Sequence, residues 1–122
     1  MAKFKISSNL LSDEGNLVIN TNGIKNKNKI IYKENEISVT ILIFDNKIEM
    51  KRVHPDYIIE LNFDINKETY TNYQFIGGDK VFKLTTKTKK LIISDKKIEI
   101  EYVLEDNKFS YKLELEDLWK KY

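Results

Sequence analysis

The chain has no cysteine, one histidine, one arginine and no long apolar run. Without cysteine there are no disulfides, no thiolate metal ligands and no cysteine nucleophile, and there is no sign of a secreted disulfide scaffold. A single histidine leaves a zinc site or a histidine-based triad without partners that can be located. The opening residues, Met1 to Ser8, are not followed by the roughly 7–15 apolar residues of a signal peptide, and no segment approaches the ~20 that cross a bilayer. We therefore expect a cytoplasmic chain with no membrane partner. A strong charge of one sign is also lacking: the net charge of +2 does not single out a polyanion.

What is abundant is Lys, Ile and Asn, a skew that resembles an AT-rich genome, so lysine counts carry little weight. At 122 residues the chain makes one domain, residues 1–122, able to bury roughly two-thirds of its unfolded surface. The apolar residues recur with period two. Ile37, Val39, Ile41 and Ile43 share a face, as do Ile48 and Met50, then Tyr57, Ile59, Leu61 and Phe63, then Thr69, Thr71, Tyr73 and Phe75. Ile98, Ile100, Tyr102 and Leu104 repeat the pattern, and so do Phe109, Tyr111, Leu113 and Leu115. Phe4 with Ile6, Leu17 with Ile19, and Ile30 with Tyr32 are shorter instances. No interval carries a helical stripe.

Turn residues fall between these runs: Asp13-Glu14-Gly15-Asn16, Asn22-Gly23, Asp45-Asn46, Gly77-Gly78-Asp79, Asp95-Lys96 and Asp106-Asn107. Between Val81 and Ser94 the apolar phase flips, which predicts a bulge or a tight turn at Thr88 to Lys90, the bulge being preferred. About eight to ten antiparallel strands, each with one apolar face, form either a sandwich or an all-β, up-and-down barrel, and the barrel is preferred because closure removes exposed edges. The segment Asp117 to Tyr122 either extends the last strand or forms a helical turn carrying Trp119.

Arg52 keeps phase with Ile48 and Met50 and so points inward, where a guanidinium needs a partner. Either it grips a carboxylate or phosphate of a ligand at the barrel mouth, or it closes the barrel end against a nearby acid, carbonyls or a tyrosine. On the first reading Arg52→Ala abolishes ligand binding and the fold survives. Tyr32, Tyr57, Tyr73, Tyr102 and Tyr111 take inward phases with Thr86 and Thr88, which suits either a pocket both aromatic and polar or a core filled by side chains. His54-Pro55-Asp56 is expected to be a solvated turn. The pairs Glu99/Glu101 and Glu114/Glu116 alternate with apolar residues and face water, and Gly77-Gly78-Asp79-Lys80 is a hairpin turn with no helix behind it. Lys80 to Lys97 contains seven lysines and one acid, Asp95. With no exposed aromatic ladder expected beside it, this stretch reads as a solvated face, and nucleic acid is not favoured as a partner.

Ile31-Tyr32-Lys33-Glu34, Ile48 to Arg52, Phe63, Tyr73 followed by Gly77, Thr86-Lys87-Thr88 and Tyr102 resemble, in order and rough spacing, the YwiB-like bacterial proteins. The resemblance runs over about Asn16 to Leu115. It implies a calycin, or lipocalin-like, barrel of unknown function and supplies no catalytic residue. One departure is that family members tend to carry a glycine after the arginine, where Val53 stands here.

These readings together point to a non-enzyme that needs no cofactor or metal. The expected function is binding of a small amphipathic or anionic ligand by Arg52, Tyr32, Tyr73, Thr86, Thr88 and Tyr102. The alternatives are a protein-interaction domain using its outer strands and, less favoured, weak RNA binding through Lys80 to Lys97.

Overall fold

The computed structural model describes residues 2–117, so the predicted alternatives for Leu118 to Tyr122, Trp119 included, lie outside the described residues. Ten strands follow one another: β1 (Ala2–Ser12), β2 (Gly15–Asn26), β3 (Lys29–Glu34), β4 (Ile37–Ile43), β5 (Lys47–His54), β6 (Tyr57–Asp64), β7 (Thr69–Phe75), β8 (Val81–Ile93), β9 (Lys97–Leu104) and β10 (Asn107–Asp117). Each pairs antiparallel with its sequence neighbour, and β1 pairs with β10 to close an all-β, up-and-down barrel.

Period-two patterning produces this directly, because successive side chains on a strand point to opposite faces. The residues on the predicted inner phases are the ones buried: Val39 and Ile41, Ile48 and Met50, Leu61 and Phe63, Ile98 and Ile100, Leu113 and Leu115. Burying each large aliphatic or Phe side chain contributes roughly 1.5–3 kcal/mol relative to exposing it. The phase flip on β8 is a register shift between Thr88 and Lys90, as predicted.

One predicted turn is not a turn. Asn22-Gly23 lies inside β2, and the chain reverses at Lys27-Asn28, where Lys27 takes φ 57°. Gly23 serves close approach: a Cβ there would collide with Ile6 Cδ1 and meet the Ile31 carbonyl oxygen at 2.7 Å. Two further reversals use a positive φ at residues the turn chemistry did not single out, Asn35 and Glu105.

The turns after β1, β3, β5, β7 and β9 gather at one end of the barrel, here called the upper end. The wall is uneven there. On β8, Thr86 stands opposite Leu104, the last residue of β9, so Val81 to Leu84 run on beyond that neighbour. β2 pairs with β1 along Gly15 to Lys25 but with β3 only from Gly23 to Asn26.

Candidate ligand-binding mouth

Ile30, Tyr32 and Glu34 alternate on β3, and all three are buried. The third is a carboxylate drawn into the barrel by the same phase that buries isoleucine, and it needs a counter-charge there. Arg52 provides it from β5. Tyr32 stands opposite Val39, and Val39 opposite Arg52, so the two elements face one another across β4. The guanidinium bonds Glu34 through both Nη atoms, one to each carboxylate oxygen. Tyr32 Oη donates to Glu34 Oε2 at 3.0 Å and lies 2.6 Å from Tyr111 Oη, so a consistent chain runs from Tyr111 through Tyr32 and Glu34 to Arg52.

The electrostatics follow from this geometry. Burial, and then the Glu34 charge, hold the Tyr32 hydroxyl far above the ordinary tyrosine range. Burial does the same to Tyr111, helped by Tyr32. Burial alone would lower the Arg52 pKa, but the hydrogen bond and charge of Glu34 outweigh it and the group is held more firmly protonated. Tyr102 is pushed up to about 12 by burial, with the Arg52 charge opposing. At neutral pH these are hydroxyl donors around a charge pair.

Of the predicted site residues, Arg52 and Tyr32 are therefore brought together, joined by Glu34. Tyr102 lies within reach of the Arg52 field, its ring stacked on Phe109 at 5.2 Å, and Thr88 stands opposite it in the ladder. Thr88 Oγ1 is buried with no hydrogen-bond partner, and the Tyr102 hydroxyl has none among the described residues. Thr86 is committed elsewhere: its hydroxyl lies 2.7 Å from that of Thr71 and donates to the Leu84 carbonyl at 3.2 Å. Tyr57 and Tyr73 correct the expectation of an interior position. Their phase is inward, but they sit above the core, half-buried at the rim.

The rim is a continuous row of rings. His54 stacks on Tyr57 at 4.5 Å, Tyr57 on Tyr73 at 5.4 Å, Tyr73 meets Phe75 edge-on at 5.0 Å, and Phe75 meets Phe82 at 6.5 Å. Phe75 and Phe82 are half exposed. An exposed aromatic ladder thus exists where none was expected, because the inward phase of β7 and β8 continues past the end of the barrel, where there is no core left to enter. His54 is likewise not a free turn residue: it ends β5, its ring is stacked, and its Nδ1 accepts the Asp56 N–H at 3.0 Å.

The lysine-rich stretch turns the other way. Lys83 and Lys87 lie on the outward phase of β8, opposite to Phe82, and acids from β9, β10 and the β6–β7 connection stand beside this stretch. Lys87 lies 3.8 Å from Glu68, Lys90 3.4 Å from Glu99, and Lys96 2.8 Å from Asp117. Glu99 lies between Lys90 and Lys97 with its pKa lowered, chiefly by the Lys97 hydrogen bond. Of the seven lysines, Lys87, Lys90, Lys96 and Lys97 are answered by acids beside them.

A cleft of about 560 Å³ lies between β1, β10, β9 and the β8 bulge, lined by Leu11, Lys89, Val103 and Lys108 together with Tyr102 and Phe109 of the inward phase. Its lining does not include Arg52. Among the described residues no three His, Asp or Glu side chains group as metal ligands, and no helix is long and apolar enough to cross a membrane.

The residue that reading the sequence for a site missed is Glu34. Its signal was present, since it keeps phase with Ile30 and Tyr32, but an acid at a strand end is ordinarily solvated.

Comparison with known proteins adds fold without activity. The crystal structure of ywiB protein from Bacillus subtilis superposes with a TM-score of 0.66 at 17% identity, over 94% of this chain and 89% of that one. That likeness bears out the lipocalin-like barrel. No curated protein matches. Residues 8–115 match the domain of unknown function DUF1934, and the chain belongs to that family.

Proposed function

We propose that the chain is a non-catalytic binding barrel that takes a small amphipathic molecule at its upper end. The observation that carries this is the row of contacting rings from His54 to Phe82, stacked at one end and edge-on at the other, which begins one strand period beyond the Arg52–Glu34 pair. Half-exposed aromatic surface suits a planar or apolar body. The Thr88 hydroxyl, buried without a partner among the described residues, and the Tyr102 hydroxyl opposite it, with the guanidinium N–H groups not used on Glu34, suit a polar or anionic head. On this reading Tyr73 contacts the body, Tyr102, Thr88 and Arg52 the head, while Tyr32 and Thr86 hold the floor in place.

Native mass spectrometry of protein purified from its own host tests the reading: a defined adduct, lost on denaturation, is expected. Tyr73→Ala and Tyr102→Phe should each weaken its retention while leaving the far-ultraviolet circular dichroism unchanged. A clean apo mass, or an adduct indifferent to both substitutions, would overturn it.

A second reading is supported by Phe75, Ile76, Val81 and Phe82, which all lie about half exposed around the tip of the β7–β8 hairpin. Such a patch fits an apolar segment of a protein partner. A clean apo mass together with loss of partner binding in Phe75→Ser would favour it.

A further inference from the structure

The upper half of β2 is an unguarded sheet edge. From Gly15 to Asn22 this strand pairs with β1 on one side, and its pairing with β3 begins only at Gly23. On the open side every second residue therefore presents its N–H and C=O without a strand partner among the described residues. Proteins ordinarily blunt such an edge with lysine, proline, a bulge or an inward charge. Gly15-Asn16-Leu17-Val18-Ile19-Asn20-Thr21-Asn22 contains none of these residues, in a chain that is 33% charged. Two of its three apolar side chains are also uncovered, Leu17 at 43% and Val18 at 53% exposure, and Ile19 is half-buried.

We propose that this edge pairs antiparallel with the same edge of a second copy, about a two-fold axis near Val18 and Ile19, to make a homodimer whose sheet runs from one barrel into the next. The charge pattern favours a second copy. An antiparallel two-fold sets the strand against its own reversed sequence, and a charged strand would place like charges opposite one another. This segment sets only amide, hydroxyl and aliphatic side chains across the seam. Main-chain hydrogen bonds supply attachment, and Leu17, Val18 and Ile19 close over the seam on its two faces.

Sedimentation and native mass spectrometry across a dilution series test the proposal. The unaltered chain should be a dimer that dissociates on dilution. Val18→Lys, which places two ammonium groups at the axis, should be a monomer with unchanged circular dichroism, and Ile92→Lys, at an exposed site on β8, should remain a dimer. The absence of cysteine gives an independent check that does not depend on weakening anything: Val18→Cys should cross-link to a disulfide dimer under mild oxidation, and Ile92→Cys should not. A chain that stays monomeric at high concentration and whose Val18→Cys form does not cross-link overturns the proposal. So does a dimer that survives Val18→Lys. A monomer that binds an added unrelated β-strand peptide, with protection of the Gly15 to Asn22 amides, would assign the edge to a different partner and equally overturn the second copy.

Discussion

The Tyr32 and Tyr111 hydroxyls meet at 2.6 Å across the barrel interior, from strands separated by β1 and β2 in the sheet and by 79 residues in the chain. They tie opposite stretches of wall together where no ladder does. Removing either hydroxyl deprives a buried group of its partner, at about 1–3 kcal/mol. Tyr32→Phe should cost more than Tyr111→Phe, because Glu34 also loses a donor. Urea unfolding of both single variants and the double variant should give a coupling of about 0.5–3 kcal/mol, and additive losses would refute the link.

Arg52→Ala was expected, from sequence, to spare the fold. The geometry changes that expectation, since the substitution leaves the buried Glu34 carboxylate without its counter-charge. Breaking a buried pair from one side costs about 3–5 kcal/mol, whereas replacing both members with apolar groups of similar size is often near neutral. Arg52→Ala and Glu34→Ala should each lower the unfolding midpoint strongly, and Glu34→Leu combined with Arg52→Met should recover most of the loss. Chemical denaturation of the three variants decides between this and a pair that contributes nothing.

Gly23→Ala should destabilise the barrel by about 1–3 kcal/mol through overpacking, because the added methyl meets Ile6 Cδ1 and the Ile31 carbonyl. Gly78→Ala, in the exposed β7–β8 turn, has its nearest neighbour at 3.4 Å and should cost much less. Thermal unfolding of the two variants side by side is the comparison.

Alkaline pH should unfold the protein by way of its buried tyrosines. Tyr32, Tyr102 and Tyr111 all have raised pKa values in the native state, Tyr102 to about 12. An unfolded tyrosine titrates near ~10, so above that pH the unfolded chain has lost protons that the native chain keeps. Their contribution is fully present below ~10 and is lost as pH rises through the native values, by up to ~1.4 kcal/mol per pH unit for each. Urea unfolding at rising pH should show this slope, and Tyr102→Phe should make it shallower.

The barrel was legible because almost every strand announces itself by alternation, and even the β8 bulge shows as a break of phase between Leu84 and Leu91. The site was legible only in part. Arg52 and Tyr32 could be placed inside from their spacing, but the height of a residue along the barrel axis cannot be read from its phase. Tyr73 and Phe75 alternate just as Leu61 and Phe63 do, and only the end of the neighbouring wall decides that the first pair emerges into solvent. Asn22-Gly23 misled for a related reason: glycine chemistry marks both reversals and close contacts, and the contact with Ile6 belongs to another strand.

All pairings but one join consecutive strands, and that one, β1 to β10, is continuous from Phe4–Asp117 to Ser12–Phe109. The other nine pairings can each form as a local hairpin with a short loop to close. The whole cost of nonlocal ordering therefore falls on a single event, the zipping of the first strand to the last, and that cost grows only logarithmically with the length of chain between them. Until it happens the molecule is a curled ribbon with two raw margins, and the interval before closure is when such a chain is most exposed to other chains.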